Sequence, residues 1–89
     1  MKLWIAKNSE VPVREQIVAQ VTLAITSGDL DVGAKLPSTA EIARRFAVHP
    51  NTVSHAYREL ADDGWIEYRH GSGFYVCEQS SESGESLER

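Results

Sequence analysis

The chain has 89 residues, 42% of them hydrophobic and 25% charged, with a formal net charge of −4. That length holds one small domain, and an ordered body of about 75 residues buries only around 60–65% of its unfolded surface, so the core is modest. A single cysteine, Cys77, excludes an internal disulfide framework, and no apolar signal region or run of about 18 apolar residues marks a leader or a membrane span, so the expected setting is cytoplasmic.

Lys2 to Ala6, with Leu3, Trp4 and Ile5 in the middle, reads as a short N-terminal strand. Asn8 to Pro12 is a polar turn. Val13, Ile17, Val21, Ala24 and Ile25 then recur at helical spacing up to Gly28, which predicts a first helix of about 14 residues closed by a glycine. Gly28 to Leu36 is a loop in which Leu30, Val32 and Leu36 are expected to tuck inward.

Ser38 followed by Glu41 is a capping box, so a second helix starts at about Thr39; Ile42, Ala43 and Phe46 give it one buried stripe over about two turns. Ala47 and Val48 interrupt it. Pro50 lacks an N–H and already has the φ of a first helical position, which makes His49 the cap of a third helix. Val53, Tyr57 and Leu60 form that helix's buried face, leaving Asn51, Ser54, His55 and Arg58 on the opposite side. Two short helices with a polar second one offered outward are a helix-turn-helix.

Asp62, Asp63 and Gly64 end the third helix. Trp65 to Tyr68, a turn from Arg69 to Gly73, and Phe74 to Val76 then make a hairpin, which beside a helix-turn-helix is a wing. Residues 77–89 are rich in Ser and Glu and nearly free of apolar side chains, and are expected to be a disordered linker or tail. The expected fold over residues 1–76 is mainly α with a small β-hairpin wing (α+β): a winged helix-turn-helix of three helices, a two-stranded wing and the short N-terminal strand. Trp4, Trp65, Tyr57 and Phe46 are expected to be core or strand-packing aromatics.

Several features fall in one order and spacing: Gly28 and Leu30, Gly33, Leu36-Pro37-Ser38, Asn51-Thr52-Val53, Leu60, Gly64, and the Gly71 and Gly73 turn. Over residues 10–76 this order resembles the winged-helix DNA-binding domain of the GntR family of bacterial transcription regulators. The MKLWIA start, the PNTV pattern and the short length resemble its YtrA-type branch more than its MocR-type branch. The resemblance implies a sequence-specific transcription regulator, repressor or activator, that binds double-stranded DNA at a palindromic operator. It also implies a homodimer formed through a region beyond Val76, and it implies no cofactor.

By position, the resemblance implies DNA contacts from Ser38, Thr39, His49, Asn51, Thr52, Ser54, His55, His70 and Gly71, with Arg44, Arg45, Arg58 and Arg69 supplying charge. Where many relatives carry arginine this chain has Ala40 and Ser54, so operator and affinity do not transfer from them. Asn51, near the start of a helix that fits the major groove, is placed to pair with adenine through its amide. Ser38 and Thr52 are suited to phosphate, which helix starts favour, and His70 to the minor groove. Each has a plainer reading: Asn51 and His55 as solvated surface groups, Ser38 with Glu41 as a cap only, Arg44 with Arg45 as solvated charges.

The acidic balance argues against nucleic acid. After Val76, however, Glu78, Glu82, Glu85 and Glu88 face only Arg89, so residues 1–76 carry 8 basic and 9 acidic side chains and are almost neutral. An isolated copy should bind DNA modestly. A winged helix that binds protein instead is the alternative such acidity suits. An enzyme lacks its parts, since neither metal-ligand spacing nor a phosphate-cradling glycine loop occurs, and His49 and His55, six apart, fall on roughly opposed sides of a helix.

Overall fold

The second and third helices start where a side-chain cap fixes the first turn. The computed structural model describes residues 3–78 and orders them as α1 (Val13–Thr26), α2 (Thr39–Phe46), α3 (Pro50–Asp62), β1 (Ile66–Arg69) and β2 (Gly73–Val76). The tail expected over residues 77–89 lies outside the described residues from residue 79 onward. Before α2, the Ser38 hydroxyl accepts from the Glu41 N–H at 3.0 Å. Before α3, His49 Nδ1 accepts from the Asn51 N–H at 3.1 Å, and Pro50 takes the first helical position as expected. Gly28 (φ +86°) and Gly64 (φ +84°) stand in the left-handed region just past α1 and α3, where glycine carries no Cβ penalty.

The turn between α2 and α3 is closed by a residue that the sequence does not flag. Ala47 adopts φ 56° and ψ 44°, the left-handed conformation, and hands the chain on as the Val48 N–H donates to the Ala43 carbonyl at 3.0 Å. A Cβ in that region is unfavourable by about 1–2 kcal/mol. Ala47→Gly should therefore raise stability by up to about 1 kcal/mol, read as a higher midpoint of urea unfolding, after glycine's greater loss of backbone entropy is subtracted. An unchanged or lowered midpoint would mean that the turn relaxes out of this conformation.

α3 lies between its two helical neighbours, packing on α1 with one flank and on α2 with the other, and runs on into β1. Ile17 and Val21 of α1, Ile42 of α2, and Val53, Ala56, Tyr57 and Leu60 of α3 meet Leu36 and Ile66 in one core. Tyr57 is its centre. The ring packs edge-on to Phe74 with centroids 5.0 Å apart, and the hydroxyl donates to the Pro37 carbonyl at 2.7 Å. Arg14 of α1 and Glu59 of α3 form an ion pair across the helix junction.

The wing pairs β1 with β2 antiparallel in the register Ile66–Val76, Glu67–Tyr75, Tyr68–Phe74 and Arg69–Gly73. Alternation gives the hairpin two faces. Ile66, Tyr68, Phe74 and Val76 share the inner one, and Glu67, Arg69, Gly73 and Tyr75 share the outer one. Residues 33–36 line the free edge of β2: Gly33 N–H donates to Val76 O, Val76 N–H to Ala34 O and Leu36 N–H to Phe74 O, each at 2.9 Å, with Lys35 bridging Tyr75. The loop thus pairs with the edge of the two-stranded sheet through one isolated bridge, and it ties the entry to α2 to the wing.

Three sequence expectations change. Residues 3–6 form no strand; their backbone polar groups go to glutamine side chains of α1 instead. Ala6 N–H donates to Gln16 Oε1 and Gln16 Nε2 donates to Ala6 O, both at 2.8 Å, while Gln20 exchanges the same pair of bonds with Trp4. The extended alternation turns Leu3 and Ile5 toward the core and leaves Trp4 73% exposed, not packed. Val32 is 61% exposed, because the turn that lets the Ala34 N–H donate to Asp31 O precedes the edge pairing that buries Leu36.

Candidate nucleic-acid interface

In α3 the four buried residues Val53, Ala56, Tyr57 and Leu60 consume one side of the helix. Asn51, Ser54, His55 and Arg58, at the spacing of one helical stripe, are all exposed on the other. The sequence placed this face correctly. Thr52 stands at its margin, half-buried. The backbone beneath the stripe is held at its first turn by His49, and at its middle by Tyr57 gripping Pro37.

His49 does two things at once. Because its Nδ1 accepts from Asn51, the neutral ring carries its proton on Nε2, which is left as a donor at the exposed start of α3. Ser38 is placed similarly: its oxygen accepts the cap bond and its own O–H remains a donor at the start of α2. The capping role and an anion-binding role are therefore compatible at both helix starts. Thr39 follows, half-buried.

The arginines differ in how free they are. Arg44 is exposed on α2, and Arg45 lies with its guanidinium 5.6 Å from the Phe46 ring centroid. Arg58 lines a shallow cleft with Arg14, His55, Glu59 and Asp62, in which Glu59 is already paired to Arg14. Arg69 donates its Nε–H to Glu67 Oε2 at 2.8 Å and stacks 4.5 Å over Tyr75, so its charge is partly spent within the wing.

At the wing tip the Ser72 N–H donates to Arg69 O at 2.9 Å, and Gly71 (φ +78°) makes the bend. His70 is exposed and edge-on to Tyr68, with centroids 6.5 Å apart. Two lysines escaped sequence reasoning. Lys7 Nζ donates to the Ala47 carbonyl at 3.0 Å, closing the α2–α3 turn from the N-terminal segment. Lys35 stands on the wing's outer face through its pairing with Tyr75. Among the described residues, no group of three or more His, Cys, Asp or Glu side chains is arranged to hold a metal ion. No helix of those residues is long and apolar enough to cross a membrane.

Residues 13–76 match the sequence pattern of the bacterial regulatory proteins, gntR family. The chain is 41% identical over 78 residues to the HTH-type transcriptional repressor YtrA of Bacillus subtilis, covering 88% of this chain and 60% of that protein. Its fold is similar to that of YtrA from Sulfolobus acidocaldarius, described as a GntR-family transcription factor, with a TM-score of 0.80 and 32% identity over 92% of this chain and 86% of that one. It is also similar, with a TM-score of 0.72 and 25% identity, to the DNA-binding domain of AraR in complex with operator ORX1, covering 84% of this chain and 93% of that one. The chain spans about 60% of the length of the first curated relatives it matches.

Proposed function

Because this chain belongs to the GntR family of bacterial regulatory proteins, we propose that it is a sequence-specific DNA-binding transcription regulator. α3 enters the major groove, and the wing at His70 to Gly73 meets the minor groove or the backbone. The observation that carries this is the exposed stripe Asn51, Ser54, His55 and Arg58, set on a helix whose opposite side is wholly committed to the core. An α-helix fits the roughly 12 Å major groove of B-DNA with its N-terminal residues nearest the base edges. Ser38, Thr39, His49 and Thr52 then serve the phosphates at the two helix starts, Arg44, Arg45, Arg58 and Arg69 add charge, and Gly71 lets the wing backbone approach the sugar-phosphate surface.

On this reading the molecule works in the cytoplasm as a homodimer on a palindromic operator, since paired half-sites need paired heads. The Ser/Glu-rich residues 77–89 serve as a linker toward the dimerisation region or as a tail. The similarity to a transcriptional repressor supports repression as the outcome of binding. The net charge of −4 favours a second reading, a winged helix that binds protein.

Selection of bound sequences from a pool of random duplex DNA, at low and near-physiological salt, separates the two. Enrichment of a half-site or palindrome, with affinity falling by a log–log salt slope of a few units, is expected for the regulator. Absence of enrichment at both salts would favour the protein-binding module.

A further inference from the structure

The outer face of the wing gathers groups that the α3 stripe does not use. Glu67, Arg69, Gly73 and Tyr75 share it by register, and Lys35 joins them as the bridge partner of Tyr75. The two 2.9 Å bonds from Leu36 N–H to Phe74 O and from Val76 N–H to Ala34 O flank the Lys35–Tyr75 pair. That makes it the non-hydrogen-bonded type, in which facing side chains come closest.

Lys35 Cε lies 3.2 Å from where a Cβ on Gly73 would stand, so the lysine stem crosses the strand at its one residue without a side chain. Gly73 itself has φ +134°, a backbone that other residues rarely adopt. The ammonium is one bond beyond Cε. Around the same glycine, the Arg69 guanidinium stacks over the Tyr75 ring, and the Tyr75 and Ser72 hydroxyls are hydrogen-bonded to each other.

We propose that Lys35, Arg69 and the Ser72–Tyr75 hydroxyl pair form a phosphate-binding patch on the wing's outer face that grips the DNA backbone; this rests on the DNA-binding reading above. The chemistry matches a phosphodiester: an ammonium point charge, a guanidinium and, since one hydroxyl of the Ser72–Tyr75 pair donates to the other, one remaining hydroxyl donor beside bare backbone. Glu67 is the opposing charge on this face. Its carboxylate is bonded to Arg69 Nε, which leaves the two Nη groups of Arg69 outside that bond. The Glu67–Arg69 pair is neutral as a unit, and among the described residues Lys35 has no carboxylate partner, so Lys35 carries the patch's net charge.

The test is an anisotropy titration of the 89-residue chain against its enriched duplex and an unrelated duplex across a salt series. Lys35→Met keeps the aliphatic stem over Gly73 and removes the charge. It is expected to weaken both duplexes by the same several-fold factor and to lower the log–log salt slope by about one unit, at an unchanged thermal midpoint. Lys35→Arg should restore both.

Wild-type affinity and slope in Lys35→Met would overturn the patch while leaving the DNA-binding reading intact. Loss on the enriched duplex alone would overturn it as well, because that is the signature of a base contact. If the wild type binds neither duplex even at low salt, the reading and the patch fall together.

Discussion

Tyr57→Ala is expected to destabilise the domain by about 3–5 kcal/mol, enough to leave much of it unfolded at physiological temperature. Tyr57 is 1% exposed and links α3 to the wing and to the entry to α2. Its ring touches Phe74 of the wing, and its hydroxyl holds Pro37 at the entry to α2 from the middle of α3. Truncation removes those contacts, leaves a cavity and strands the Pro37 carbonyl.

Tyr57→Phe separates these effects. It keeps the ring and loses only the hydrogen bond, so about 1 kcal/mol should disappear in urea unfolding. Burial, and secondarily the Glu41 carboxylate, push the Tyr57 hydroxyl well above the ordinary tyrosine value of 10.0. The sign follows from linkage: the folded state holds this proton more tightly than the unfolded chain. The contribution is therefore complete below pH 10 and is lost as pH rises above it. A Tyr57→Ala variant with the wild-type midpoint would show that α2, α3 and the wing are not joined through this ring.

What the sequence made legible was whatever is fixed by chemistry within a few residues. The Ser38 and His49 caps, Pro50 at a first helical turn and Gly28 and Gly64 past helix ends are such signals, and the helices stand where they point. The α3 stripe was readable for the same reason, because a 3.6-residue period separates Val53, Tyr57 and Leu60 from Asn51, Ser54, His55 and Arg58.

Long-range pairing was not readable. Leu3-Trp4-Ile5-Ala6 has the composition of a strand, yet the backbone of Trp4 is bonded to the Gln20 side chain and that of Ala6 to the Gln16 side chain, which no strand pattern announces. Residues 33–36 look like a glycine-broken loop because their ladder partner, β2, lies about forty positions on. Lys35 escaped with them, since only that pairing places it on the wing. Ala47 gave no sign at all, alanine having no preference for the left-handed turn it makes.

Asn51→Ala should reduce the sequence preference markedly and leave folding untouched. A bidentate amide–adenine pair discriminates by about 1–3 kcal/mol, so the ratio of affinities for the enriched and unrelated duplexes should shrink by about five- to 150-fold. The structure explains why folding is spared. Asn51 is exposed, and the bond that caps α3 uses its backbone N–H, which alanine retains. Alanine is also the better helix former, so the thermal midpoint should hold or rise slightly.

Salt dependence provides the internal control, because an uncharged amide releases no counterions. The log–log slope should match wild type in Asn51→Ala and fall by about one unit in Arg58→Ala if Arg58 meets a phosphate. An Asn51→Ala protein that still prefers the enriched sequence would make Asn51 a solvated surface amide. Base reading would then pass to Ser54 and His55, the other short polar groups on the same face.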